Sequence, residues 1–232
     1  MNENKVKVAI IDNSIDSSVY NPIEHWKDYL KVEWDSFKAT QSLFPDIKNG
    51  YTHLLLTGSE ASILERENWV YEEVEVIQEA VEKGLPILGS CYGHQLLAFA
   101  LAGPSHLRRC IPPEVGWIPI QIKEESQLLG KKRCAFSFSL HFDEVVNLDD
   151  SFLVIASSEH CEIQAFQFKK KPFWGIQIHP EIDVSSATEL LRKLASLGLE
   201  TSSFYEEAME SRPQDSGLIH DIVRNFIKSE RR

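Results

Sequence analysis

Long apolar runs are missing from this 232-residue chain; none approaches the roughly 20 residues of a membrane-crossing helix, so no membrane partner is expected. Basic residues are scarce as well. Against 35 Asp and Glu stand only 24 Lys and Arg, a net charge of -11, and the basic residues cluster only as the triplets Lys131-Lys132-Arg133 and Lys169-Lys170-Lys171. That balance argues against a nucleic-acid surface, and the triplets read as solvated turns. Cysteine is limited to Cys91, Cys110, Cys134 and Cys161, with no CxxC spacing, so free thiols in a reducing cytoplasm are expected rather than disulfides or structural zinc. The polar start "MNENKVKVAIID" gives no expectation of a signal peptide. Neither a Gly-x-x-x-x-Gly-Lys-Ser/Thr phosphate loop nor a His-Glu-x-x-His motif is present, so no cofactor and no metal are expected.

What is there is a change of pattern along the chain. "KVAIID", "KVEWDSF", "THLLLTG" and "PILGS" read as buried strands. Helical signals lie between them, at "NPIEHWKDYL", at Val70, Val74, Ile77 and Val81, and from about Gly93 to Ala102. Alternation of this kind predicts an α/β fold: a mostly parallel central sheet with helices on both faces. After Pro112-Pro113, "GWIPIQIK", "RCAFSFSL", "FLVIASS", "EIQAFQFK" and "PFWGIQIH" succeed one another across turn residues and predict an antiparallel extension. "SSATELLRKLASLG" predicts an amphipathic helix capped by Ser185 or Ser186. A helical tail is expected over 202–232. No repeat or long linker divides the chain, so 1–232 reads as a single domain.

Chemistry concentrates at "GSCYGHQ". A strand that turns sharply into a helix presents the side chain at its apex, and Gly89 and Gly93 flank Cys91 as glycines flank the serine of a nucleophile elbow. The helix that follows aims its free amides at the sulfur, favouring thiolate and offering the Tyr92 N–H to an oxyanion. A thiolate nucleophile needs a base held by a third group. "GIQIHPEI" supplies both: His179 at the end of an apolar strand, and Glu181 two residues on, on the same side of an extended chain. The alternative reading of each motif is structural, a small core cysteine and a strand-end histidine.

With "GSCYGHQ" and "GIQIHPE" in this order, the sequence resembles the class I glutamine amidotransferases over most of residues 6–197, a flavodoxin-like fold. "HLLLTGSEAS", "EVGWIPI", "HFDEV" and "QAF" extend the likeness, which is strongest to stand-alone, GMP-synthase-like members without a fused ATP-pyrophosphatase domain. The resemblance implies that Cys91 attacks the glutamine side-chain amide, that His179 protonates the departing ammonia and activates water, and that Glu181 orients His179. It implies an oxyanion hole from the backbone of Gly58 and Tyr92, and a substrate pocket at Gln95, His141 and Phe142. His94 and His141 are alternative bases to which the family assigns structural or pocket roles. Ser59 stands where many members have a second glycine, and Ile178 where a phenylalanine is common. The implied substrate is glutamine or another γ-glutamyl compound, and the implied partner is a separate synthase subunit. "HFDEV" also resembles relatives that cleave γ-glutamyl peptides, and a non-catalytic protein that kept the fold is the remaining reading.

Overall fold

The architecture was obtained from a computed structural model, which describes residues 5–231. Residues 1–4, part of the polar start, lie outside the described residues. The parallel half is built from β1 (Lys7–Asp12), α1 (Pro22–Lys27), β2 (Glu33–Lys38), β3 (His53–Leu56), α2 (Asn68–Glu82), β4 (Ile87–Ser90) and α3 (Tyr92–Ala102). Then follow β5 (Leu107–Ile122), β6 (Arg133–Val145), β7 (Phe152–Ser157), β8 (Ala165–Phe168) and β9 (Phe173–Ile176), and lastly α4 (Val184–Ser196), α5 (Ser202–Glu210) and α6 (Leu218–Ile227).

One nine-stranded sheet runs β2-β1-β3-β4-β9-β8-β7-β5-β6. β2, β1, β3, β4 and β9 pair in parallel, and the remaining pairings are antiparallel. Order 2-1-3-4 followed by a last parallel strand is that of flavodoxin-like sheets, in which ligands sit beyond the carboxyl ends of the strands. One of the five segments expected in the antiparallel extension, "PFWGIQIH", forms β9, which instead completes the parallel half against β4 and joins it to the extension through an antiparallel pairing with β8.

Strand alternation sorts the core into two layers. Ala9, Ile11, Leu54, Leu56 and Ile87 face α2 and α3, while Val8, Ile10, Leu55 and Leu88 face α1 and α6. Helices therefore cover both faces of the parallel half. A third cluster joins Tyr20 and Phe138 to Leu190, Leu191, Tyr205 and Ala208 of α4 and α5.

Two further expectations, on β5 and on the α4 cap, need correction. β5 begins at Leu107, ahead of Pro112-Pro113, and crosses the prolines through a register shift between Arg109 and Glu114, where lost amide donors are tolerated. The cap of α4 is Asp183, whose carboxylate accepts from the Ser186 N–H at 2.7 Å; Ser185 and Ser186 lie inside the first turn. The tail does hold two helices, but they pack apart, α5 against α4 and β5, and α6 against the opposite face with Trp26 and Leu55.

Candidate active site

The turn from β4 into α3 places Cys91 at φ +50, ψ −106, a conformation that costs an ordinary L-residue free energy. Its neighbours hold it there. The Cys91 N–H donates to the Ile176 carbonyl of β9 at 2.8 Å, and the Gly93 N–H to the Thr57 carbonyl after β3 at 3.0 Å. The flanking glycines answer to close backbone approach. A Cβ at Gly89 would lie 2.3 Å from the Gly93 oxygen, and one at Gly93 would lie 2.4 Å from the Leu56 oxygen. The Tyr92 N–H opens α3 and has no intrahelical acceptor.

Across from the elbow, β9 ends at Ile176, and His179 lies three residues beyond it in an irregular segment docked on β6 by its own N–H, which donates to the Phe138 carbonyl at 2.9 Å. The His179 and Glu181 side chains do meet, Nδ1 to Oε1 at 2.8 Å, both buried. Strand alternation is thus not what brings them together; a turn past Pro180 does. Burial works against charging His179, but the Cys91 sulfur and the Glu181 carboxylate outweigh it and push its pKa up to about 10. Holding Nδ1–H on Glu181 leaves Nε2 as the nitrogen for proton transfer.

A cavity of about 550 Å³ opens over Cys91 and His179. Tyr92, Gln95, His141 and Phe142 line it, so the residues picked out in the sequence gather at one place. Gly58 adjoins as well, since a Cβ there would sit 2.8 Å from His179 Cε1. Gln95 Nε2 donates to the Asp143 carbonyl at 2.8 Å and to Gln177 Oε1 at 3.2 Å. The Leu140 carbonyl lies 3.7 Å from the Cys91 sulfur.

The other histidines have other work. His94 is buried against Phe166 and under Gly175, and burial lowers its pKa to about 3. His141 faces an acceptor on each side, the Asp143 carbonyl from Nδ1 and Glu114 Oε2 from Nε2, both at 3.0 Å. Burial disfavours the Glu114 carboxylate, yet hydrogen bonds from His141 and Ser158 hold its pKa below the usual value. Glu114, His141 and Cys161 bring potential metal-ligating atoms within 4.8 Å of one another, a cluster from three segments that spacing could not show. The Glu114 carboxylate engages His141, Ser158 and Gln164, which braces the β5–β6 wall.

A family model for class I glutamine amidotransferase matches residues 9–196. The chain belongs to this family. Similar proteins include γ-glutamyl peptidase 3 of Arabidopsis thaliana, 27% identical over 208 residues, which are 84% of this chain and 83% of that one. The glutamine-hydrolysing GMP synthase subunit of Methanococcus aeolicus is 35% identical over 120 residues, 51% of this chain and 63% of the relative. The matched part therefore spans less than two thirds of that relative. Among solved structures, a glutamine amidotransferase from Thermotoga maritima superposes with a TM-score of 0.71 over 97% of this chain and 99% of that one, at 18% identity, which speaks to fold alone.

Three features of this amidotransferase site carried no sequence signal. Tyr20, from the loop before α1, sets its hydroxyl 3.3 Å from Glu181 Oε1 and 3.5 Å from His179 Nδ1; burial and Glu181 raise its pKa, so it stays a phenol. Arg109 faces the cavity from β5 and pairs with Asp143 at 2.9 Å. The loop after Gly58 is tied down despite Ser59. Ser59 Oγ accepts from Ala61 N–H at 3.0 Å, and Glu60 accepts from the Ile15 and Asp16 amides at 2.8 and 3.1 Å.

Proposed function

We propose that this chain, acting as one catalytic domain, hydrolyses the side-chain amide of glutamine to glutamate and ammonia for transfer to an acceptor. Cys91 Sγ adds to the amide carbon, and the developing oxyanion is taken up by the backbone N–H groups of Gly58 and Tyr92. His179 delivers its proton to the departing nitrogen as the carbon–nitrogen bond breaks, leaving a γ-glutamyl thioester. The neutral imidazole then takes a proton from water, whose oxygen attacks the thioester and releases glutamate and the Cys91 thiolate. Glu181, with Tyr20 hydrogen-bonded to it, orients His179 and stabilises its cation. Gln95, His141 and Phe142 wall the glutamyl end. The observation that carries this reading is the strained elbow cysteine facing a histidine whose far nitrogen is held by a buried carboxylate.

The likeness to the GMP synthase relative supports partnership with a separate synthase subunit, and four free cysteines support a reducing cytoplasm. A second reading, cleavage of γ-glutamyl peptides, is favoured by a cavity of about 550 Å³, more than one glutamine fills, and by the peptidase relative matched along most of its length. Only the leaving amine differs between the two.

Steady-state turnover of glutamine and of a γ-glutamyl peptide panel, with ammonia or amine measured directly, tests both. The expected result is slow glutaminase activity in isolation, well below about 10 per second, that rises with a co-purifying synthase and vanishes in Cys91→Ala. Rapid, partner-independent peptide cleavage would overturn the glutamine reading in favour of the peptidase. No cysteine-dependent turnover of any γ-glutamyl compound would sink both.

A further inference from the structure

The cavity is short of positive charge. Asp16, Glu60, Glu65 and Asp143 all line it, and among the described residues Arg109 is the only Arg or Lys that does. The amino-acid end of a γ-glutamyl substrate is a zwitterion: the surrounding carboxylates suit its α-ammonium, and its α-carboxylate calls for the one cation. Arg109 sits on β5 directly opposite Asp143 of β6, and their side chains pair at 2.9 Å.

This pair is built asymmetrically. Asp143 is buried, with its other oxygen accepting from Ser62 Oγ at 2.6 Å, while half of the Arg109 side chain is exposed. Ser62 thus steadies Asp143, which holds one nitrogen of the guanidinium, and the remaining N–H donors of its planar fork are left for a second carboxylate. Asp143 lies three residues along β6 from Leu140, whose carbonyl adjoins the Cys91 sulfur, a separation of about 10 Å along an extended strand. Arg108, the preceding residue, pairs with Glu144 and does not line the cavity.

We infer that Arg109, held by Asp143 and Ser62, binds the α-carboxylate of the γ-glutamyl substrate and selects for it. The inference rests on the proposed γ-glutamyl reaction at Cys91. It holds equally for glutamine and for γ-glutamyl peptides, because both carry this group while their leaving amines differ.

The test compares two alkylating agents of the same cysteine. 6-Diazo-5-oxo-norleucine carries the α-amino acid end of glutamine; iodoacetamide does not. In Arg109→Gln the labelling efficiency of Cys91 by the diazo compound should fall about 10- to 100-fold, the loss expected for one charged hydrogen-bonding contact, while labelling by iodoacetamide stays within about twofold. Arg109→Lys should recover part of the loss. With γ-glutamyl-p-nitroanilide and its α-methyl ester, the wild-type preference for the free acid should disappear in Arg109→Gln, as a rise in KM with little change in kcat. Equal effects on both alkylating agents, or none on the diazo compound, would overturn the assignment of Arg109 alone. A wild-type Cys91 that iodoacetamide labels and the diazo compound does not would overturn the γ-glutamyl reading itself and this inference with it.

Discussion

At the scale of single residues, the site is an ion-pair problem. Cys91 and His179 are buried, and burial alone would keep the histidine neutral; the Cys91 sulfur first, and Glu181 with it, tip the balance. His179→Asn should cost at least about 10³-fold in turnover, and Glu181→Gln a smaller but large factor, because shape survives and charge does not. With the His179 pKa raised to about 10, the imidazolium that the proposed reaction uses to protonate the leaving nitrogen persists through neutral pH, so the alkaline limb of kcat/KM should lie near pH 10 rather than 6.5. Glu181→Gln removes a stabiliser of the cation, and that limb should move to lower pH. A profile unchanged by the substitution would deny Glu181 its orienting and charging role. Thiol reactivity gives a second check. Burial raises the pKa of Cys110 to about 12 and raises that of Cys161 as well. Limiting iodoacetamide mapped by mass spectrometry should therefore label Cys91 well ahead of both, with exposed Cys134 as the accessible background.

At the scale of elements, the elbow was legible because its constraints are local. Gly89 and Gly93 are demanded by backbone oxygens within 2.4 Å of where a Cβ would go, and a glycine requirement prints directly into sequence. Substituting either by Ala should cost several kcal/mol or abolish folding, read as loss of soluble expression or a much lower urea midpoint, because backbone cannot yield as a flexible side chain does. An unperturbed midpoint in Gly93→Ala would contradict the packing of α3 against β3. The His179–Glu181 pair was legible as spacing, although the turn past Pro180, not a strand, makes the contact. Tyr20 and Arg109 were not legible. Each reaches the site through tertiary packing from an element with no local motif, Tyr20 from the loop before α1 and Arg109 from β5 across the sheet. The start of β5 was missed for a related reason: prolines signal a break, and a register shift lets the strand continue through them.

At the scale of the whole molecule, buried titratable groups outside the reaction set a pH window for stability. Burial lowers the pKa of His53 to about 4 and of His94 to about 3, so the unfolded chain takes up protons that the folded one refuses. Their contribution is full above about 6.5 and is lost as pH falls toward 4. Glu73 of α2 has the opposite sense. Burial raises its pKa to about 8, against a small opposing effect from Asn13, whose Nδ2 lies 3.3 Å from Oε1. It folds as a neutral acid, and stability falls as pH rises from about 4.5 to 8, on the order of 3 kcal/mol by pH 7. The raised His179 acts in the same direction between 6.5 and 10. Stability should therefore peak near pH 6 to 7. Glu73→Gln should match wild type at pH 5 and exceed it at pH 8 in urea denaturation, since an amide pays no ionisation penalty and can donate to buried Asn13 Oδ1, which lacks a partner. A difference independent of pH would show that Glu73 is not held neutral.

The position of the cavity across the sheet has its own consequence. Cys91 and Glu181 follow strands of the parallel half, whereas Arg109, Leu140, His141, Phe142 and Asp143 all belong to the β5–β6 hairpin at the far edge. In the proposed reaction, the bond-breaking groups and the substrate-reading surface thus lie on separate parts of the chain. Because β6 touches His179 and Cys91 through the backbone carbonyls of Phe138 and Leu140, side-chain substitutions in the hairpin can redraw which molecules are accepted while those two contacts persist. Exchanging that hairpin between relatives is accordingly the shortest route to retargeting the scaffold.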